Sequence, residues 1–140
     1  SMVKPVIFIL GVSALPLAQK LKAELKLEIH TPNCVTGGDV IYAKATDHLA
    51  GLFAERRAII GICASGIIIR ALASQLGDKR FEPAVLAVAE AGSSVIPLLG
   101  GTPAAQGRHR LAAANPPGVY VGRTMLDAAR RAVELAGVPT

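Results

Sequence analysis

The sequence predicts an α/β fold: an open, mostly parallel sheet that is flanked by helices and includes a β-hairpin. Apolar runs of strand length begin at Val6 and Ile59, and each leads through a small-residue turn into a helical pattern. Hydrophobic residues make up 51% of the chain, but only 4% of the residues are aromatic. A core of Ala, Val, Ile and Leu is typical of a parallel sheet covered on both faces.

The first strand is predicted at Val6–Leu10, and Gly11 follows it in a turn. A helical pattern then runs from Leu15 to Leu25, with Pro16 in the first turn, where the missing N–H of proline costs little. Since this order repeats at the central strand, we expect the turn at Gly11 to lie at the same edge of the sheet as the turn at Ser65.

A second, short strand is predicted at Leu27–His30. Residues 33–39 show no periodicity and are interpreted as a loop. Thr46 or Asp47 is predicted to cap a helix that continues to about Arg57 and leads into the central strand.

The central segment begins with a strand at Ile59–Cys63, followed by three small residues and a helical pattern across Ile67–Leu76. Two more strands are predicted at Ala84–Val88 and Val95–Leu99. The polar residues 89–94 between them indicate a tight connection, so these two strands are predicted to form the hairpin.

A last strand is predicted at Val119–Val121, parallel to the first and central strands, and a closing helix at Thr124–Ala136. The chain is long enough for one domain of ordinary size, predicted over residues 2–140. Two small lobes with a boundary near residue 57 are the alternative.

The turn after the central strand is the first predicted ligand site. A helix N-terminus leaves backbone N–H groups unpaired and carries partial positive charge. Ser65 is predicted as the N-cap, Gly66 would let a ligand approach the backbone, and Arg70 could bind a carboxylate. The alternative is a capped core helix with a solvated arginine.

The net charge of +5 and the pI near 9.6 favour acidic partners, with a basic surface that has no partner as the alternative. Nucleic acid is not predicted, because the few aromatic residues are scattered instead of lying among the basic residues. Neither GxxxxGK[ST] nor GxGxxG occurs, so the sequence does not support nucleotide binding.

No metal site is predicted, because His30, His48 and His109 lack metal-ligand spacing. His30 alone at a strand end is interpreted as structural more readily than as an acid or base. Cys34 and Cys63 form no metal motif, and a disulfide between them stays open. Apolar runs are too short to span a bilayer and no signal peptide is evident, so we expect a cytoplasmic protein without a membrane partner.

Three motifs follow one another with almost no gaps: ASGIIIR at residues 64–70, DKRFEPAV at 78–85 and EAGSSVIPLLGG at 90–101. This ordered run resembles the central region of the CbiG family, the cobalt-precorrin-5A hydrolases of cobalamin biosynthesis. The resemblance covers about 40 residues strongly, and the predicted order of strands and helices is compatible with the family on either side.

The resemblance implies opening of the ring A δ-lactone of cobalt-precorrin-5A, with loss of a two-carbon bridge as acetaldehyde. The implied partner is an anionic tetrapyrrole that carries its own cobalt, so no cofactor is expected. Other cobalamin-pathway enzymes are further expected partners. The C-terminal module of the family is not expected in this chain, and the chain could be a domain excised from a fusion with a precorrin methyltransferase.

The resemblance also implies roles for residues of the three motifs. Lactone opening needs an activated water, donors for an oxyanion and cations for carboxylates. Glu90 is the implied base, with a plain turn residue as the alternative. Substrate binding is implied for small, hydroxyl-bearing and basic residues, of which Lys79 and Arg80 could instead be loop charges. These residues are Ser65, Gly66, Arg70, Lys79, Arg80, Gly92, Ser93 and Gly101.

The sequence departs from the family at Thr102, where members usually have a His that begins a segment resembling GHLGGAN. Thr102 cannot take up a proton at neutral pH, so we expect weak or undetectable lactone opening with binding retained. The alternative to a hydrolase is therefore a non-catalytic corrinoid-binding or partner-docking domain.

Overall fold

The computed structural model describes residues 4–73, 85–88, 94–99 and 120–121. The α/β fold is confirmed, with helices packed against one open sheet. The helices are α1 (Leu15–Leu25), α2 (Ala45–Ala54) and α3 (Ser65–Leu72). The strands are β1 (Val6–Ile9), β2 (Glu28–Pro32), β3 (Val40–Tyr42), β4 (Ile59–Ile62), β5 (Val85–Val88), β6 (Ser94–Leu99) and β7 (Tyr120–Val121).

The strands lie in the order β3-β2-β1-β4-β5-β6-β7. All pairs from β3 to β5 are parallel, whereas β6 is antiparallel to both β5 and β7. The β5–β6 pair is the predicted hairpin. Since β7 is antiparallel to β6, it runs in the same direction as β1 and β4, and the predicted common direction of these three strands is confirmed.

The strand order reverses beside β1. The chain adds β2 and β3 on one side of β1 and then returns to place β4 on the other side. The register pairs Ile9 with Ile62, so the carboxyl ends of β1 and β4 lie side by side. In open α/β sheets such a switch point leaves a crevice at the carboxyl edge where ligands bind.

The two faces of β1 belong to two separate cores. Ile7 and Ile9 pack with α1, whereas Val6 and Phe8 pack with α2 and α3. Alternate residues of a strand point to opposite faces, and all four residues of β1 are fully buried. This accounts for a strand that is apolar throughout.

β3 was not predicted, because residues 33–39 form an unusually short connection between parallel strands, which more often need a helical crossover. Asp39 anchors the end of this connection: its N–H donates to the carbonyl oxygen of Ile29 and its carboxylate accepts from the N–H of Ile29, both at 2.8 Å. Lys22 of α1 pairs with the same carboxylate. The connection also buries Val35 in the α1 core.

Two predicted helix caps are wrong. α2 begins at Ala45 with Lys44 as its N-cap, and α3 begins at Ser65 with Ala64 as its N-cap. In both cases the residue before the helix is extended and has no side-chain oxygen that could cap the first turn. The predicted continuation of α2 to Arg57 is also wrong, because Arg56 adopts a left-handed conformation with φ of 61°.

Several predicted elements extend beyond the described residues. The predicted helix ending at Leu76 is described as α3 up to Leu72, and residues 74–84 lie outside the description. The polar hairpin connection and the closing helix at Thr124–Ala136 also lie outside it.

The contact between α3 and β4 depends on the absence of a side chain at Gly61. A Cβ added there would overlap Cδ1 of Ile68, a fully buried residue of α3. We therefore expect Gly61→Ala to lower the free energy of unfolding by about 1–3 kcal/mol, measured by urea denaturation.

Ile68→Val removes Cδ1 and should cost about 0.5–1.5 kcal/mol alone. In the double variant the two losses should not add, because the new methyl occupies the vacated space. Gly51→Ala in α2, where nothing lies within 4 Å, serves as the control and should not destabilise. Fully additive losses would contradict this packing.

Candidate functional site

The carboxyl edge of the sheet carries two neighbouring turns at the switch point. After β1 the chain passes Gly11 into a short 3-10 helix at Val12–Ala14, and after β4 it passes Cys63 and Ala64 into α3. Because Ile9 and Ile62 are register partners, both turns leave the sheet at the same level. This confirms the sequence-based expectation that the two turns share one edge.

The N-terminus of α3 has no side-chain cap, since its N-cap is Ala64. The N–H of Ile67 donates to the carbonyl oxygen of Ala64 at 3.2 Å, whereas the helix has no acceptor for the N–H groups of Ser65 and Gly66. Among the described residues, nothing lies within 4 Å of a Cβ added at Gly66 or at Gly11. A ligand can therefore approach the backbone of both turns.

Arg70 lies in the last turn of α3 and is exposed. Val12, in the turn after β1, is an apolar side chain with 69% of its surface exposed. The carboxyl edge thus combines N–H groups that have no acceptor within α3 with an exposed valine, and α3 carries an exposed cation. The remaining residues implied by the resemblance lie outside the described residues: Lys79, Arg80, Glu90, Gly92, Ser93, Gly101 and Thr102.

Tyr42, at the end of β3, is a buried residue of this region that sequence analysis did not identify. Its Oη donates a hydrogen bond of 2.7 Å to the carbonyl oxygen of Ile9, the last residue of β1. Burial raises the pKa of Tyr42 to about 12, so the hydroxyl stays protonated and remains a donor at neutral pH. This bond ties the carboxyl end of β3 to that of β1.

Two histidines meet beside Tyr42. His30 of β2 is 3% exposed, and its Nδ1 lies 2.7 Å from Nε2 of His48 on α2. The His48 ring stacks on the Tyr42 ring with centroids 4.9 Å apart and an interplanar angle of 15°. His30 is therefore not an isolated structural histidine but half of a hydrogen-bonded pair between a strand and a helix.

A carboxylate and a guanidinium complete this cluster. Oε1 of Glu28 lies 3.3 Å from Nε2 of His30, and Nη2 of Arg57 lies 3.7 Å from the same oxygen. Arg57 also donates to the carbonyl oxygen of Lys4 at 3.3 Å. The polar groups thus form a continuous line from Glu28 through His30 to His48.

One contact of this line, between Glu28 and His30, can be predicted from sequence. Glu28 and His30 are two residues apart on a strand and must share a face of the sheet. The contact with His48 could not be predicted, because it depends on β3, which places α2 over β2, and no strand was predicted at residues 40–42.

Metal ligation has no support within residues 4–73 and the described strands, where no three His, Cys, Asp or Glu side chains form a group that could hold an ion. Cys34 and Cys63 are not disulfide-bonded, so the disulfide left open by the sequence is not formed. In the described parts of the chain, no helix has the length and apolar character needed to cross a membrane.

A family model described as cobalamin synthesis G N-terminal matches residues 47–114. Over this segment the chain is a member of the CbiG family. Its CbiG domain places it in cobalamin biosynthesis. The matched segment includes His48, β4 and the uncapped start of α3, whereas Glu28 and His30 precede it. No curated protein and no solved structure gives a significant match to the chain.

We expect the histidine pair to make the stability of the chain depend on pH. Burial is the main cause that lowers the pKa of both His30 and His48 below 6.5. Below pH 6.5 the unfolded chain therefore binds more protons than the folded chain, and stability falls as the pH falls towards the folded pKa values.

We expect the free energy of unfolding to decrease between about pH 7.5 and about pH 5.5, by at most about 1.4 kcal/mol per pH unit for each histidine. Urea denaturation at several pH values measures this slope, and His48→Gln should reduce it. A stability that is constant or rises on acidification in this range would contradict the assignment.

Proposed function

We propose that this CbiG chain binds cobalt-precorrin-5A at the carboxyl edge of its sheet, between the turns that follow β1 and β4. The observation that carries the proposal is the uncapped N-terminus of α3 at the switch point of the sheet, within the segment that matches the family model. An anionic ligand at this position would accept hydrogen bonds from backbone N–H groups that lack partners within the helix.

The chemistry of the ligand fits the chemistry of this edge. A corrin precursor has an apolar macrocycle and peripheral carboxylates. The carboxylates would face the N–H groups of Ser65 and Gly66 and the guanidinium of Arg70, because charge-assisted hydrogen bonds are the strongest available to them. The macrocycle would cover the exposed side chain of Val12.

The surroundings of the edge also fit an anionic ligand that lies close to the backbone. Gly11 and Gly66 leave open space above both turns among the described residues, so backbone and ligand can come close. The excess of 15 basic over 10 acidic residues in the chain favours an anionic partner over a neutral one. Binding is proposed ahead of hydrolysis because Thr102 replaces the His of the family motif.

Arg70→Ala should weaken the binding of cobalt-precorrin-5A by about 1.5–3 kcal/mol, the range for a hydrogen bond to a charged group. Titration of the purified chain, followed by the absorption of the corrinoid, measures the dissociation constant. Lys20→Ala, which removes an exposed cation from α1, is the matched control and should change the affinity much less.

Equal weakening by Arg70→Ala and Lys20→Ala would mean that net charge alone attracts the corrinoid. An unchanged affinity in Arg70→Ala would remove Arg70 from the site. The absence of any binding by the wild-type chain would refute the proposed function.

A further inference from the structure

The positions of the protons in the Glu28–His30–His48 line can be inferred from the contacts between its polar atoms. If Nε2 of His30 carried no proton, its lone pair would face the carboxylate of Glu28 at 3.3 Å, which is repulsive. Nε2 of His30 therefore carries the proton and donates to Glu28. The Nδ1 of neutral His30 is then an acceptor.

The proton of His48 is placed by its contact with His30. The 2.7 Å contact needs one donor, and Nδ1 of His30 is the acceptor, so Nε2 of His48 carries the proton. Neutral His48 has one proton only, which leaves the lone pair on its Nδ1. Glu28 thus determines the tautomer of His30, and His30 in turn determines the tautomer of His48. Nδ1 of His48 keeps its lone pair and is a base.

His48 also stands near the proposed binding edge. α2 follows β3, so its first residues lie at the carboxyl edge of the sheet, and His48 is the fourth residue of this helix. His48 is only partly buried, unlike His30. Its ring stacks on Tyr42, whose hydroxyl contacts the end of β1 at the switch point.

We propose that His48 Nδ1 is the general base of lactone opening in this chain, and that His30 and Glu28 are positioning residues that hold its tautomer. This inference rests on the proposed binding of cobalt-precorrin-5A. It gives a source for the proton transfer that Thr102 cannot perform. The sequence-based expectation of weak activity assumed that the proton acceptor had to be the residue at position 102.

The step balances without any further reactant. His48 Nδ1 takes a proton from water while the water oxygen bonds to the lactone carbonyl carbon, and the carbonyl oxygen becomes an oxyanion. The oxyanion collapses, the bond between the acyl carbon and the ring oxygen breaks, and that oxygen takes the proton from His48. One water is consumed, and the products are a carboxylic acid, which ionises at neutral pH, and a hydroxyl group on the two-carbon unit. Acetaldehyde then leaves when this hydroxyl loses its proton, the C–C bond to the ring breaks, and the ring carbon takes the electron pair and a proton.

The charges around the pair suit a base that is neutral at rest. Glu28 of β2, Asp39 of the connection before β3 and Arg57 of the residues after α2 surround His30. His48 is surrounded by His30, by Tyr42 of β3, by Glu55 at the end of α2 and by Arg57. Burial lowers the pKa of His48, so its lone pair is free at pH 7. Once His48 is protonated, the positive charge can be shared along the line towards Glu28.

The test measures consumption of cobalt-precorrin-5A and release of acetaldehyde by the purified chain, alongside binding. We expect release by the wild type, and a loss of about a hundredfold to ten-thousandfold in kcat in His48→Gln with corrinoid affinity retained. The wild-type rate should fall on acidification in a single acid limb below pH 6.5, because the histidine pair takes up a proton there.

Glu28→Gln keeps an acceptor near His30 but removes the negative charge. It should lower kcat more than it changes KM and move the acid limb to lower pH, because the protonated pair has lost its counter-charge. Glu24→Gln, an exposed glutamate of α1, is the matched control and should leave the rate and pH profile unchanged.

Binding without acetaldehyde release by the wild type would overturn this inference and leave the proposed function standing. Release that is equally fast in a folded His48→Gln variant would overturn it as well. If His48→Gln does not fold, the pH profile of Glu28→Gln decides. An acid limb at the same pH as in the wild type would overturn the inference.

Discussion

β1 is buried on both faces and hydrogen-bonded on both edges, and the rest of the structure depends on this strand. Its odd-numbered residues, Ile7 and Ile9, face α1, and its even-numbered residues, Val6 and Phe8, face α2 and α3. Both helical layers therefore need β1 in place. Because the chain adds neighbours first on one side of β1 and then on the other, the same strand also creates the switch point where the two turns meet.

The sheet was predictable from sequence where strands are short, apolar and followed by turns, as at Val6 and Ile59. It was not predictable at β3, because three residues after an aperiodic loop carry too little pattern and the pairing depends on Asp39 binding the backbone of Ile29. Polar residues near the start of a helix also misled the sequence analysis. α2 and α3 instead begin directly after Lys44 and Ala64. Neither residue makes a side-chain hydrogen bond that caps the helix.

The candidate site was also predictable from sequence only in part. The Ser65 turn was found from sequence because a strand, small residues and a helix follow one another within one segment. The Glu28–His30–His48 line joins three residues through tertiary contacts, and sequence spacing gave no reason to connect His48 with the other two. Several residues of the family motifs, Glu90 among them, stay predictions because they lie outside the described residues.

Two features lie on the α2 and α3 side of the sheet: N–H groups at the start of α3 that have no acceptor within the helix, and a histidine pair beside the carboxylate of Glu28. Tyr42 links them, since it stacks on His48 and binds the end of β1. Lactone chemistry needs an oxyanion donor and a proton acceptor within reach of one substrate. The proposed activity would use both features, because Tyr42 connects the partly buried His48 to the end of β1.

The central claim is that the carboxyl edge at the switch point binds the corrinoid, and hydrogen–deuterium exchange with and without cobalt-precorrin-5A tests it most directly. The account predicts slower exchange in residues 10–14 and 64–70, with little change around Lys26 at the opposite edge. Protection confined to the opposite edge, or spread evenly over the chain, would contradict it.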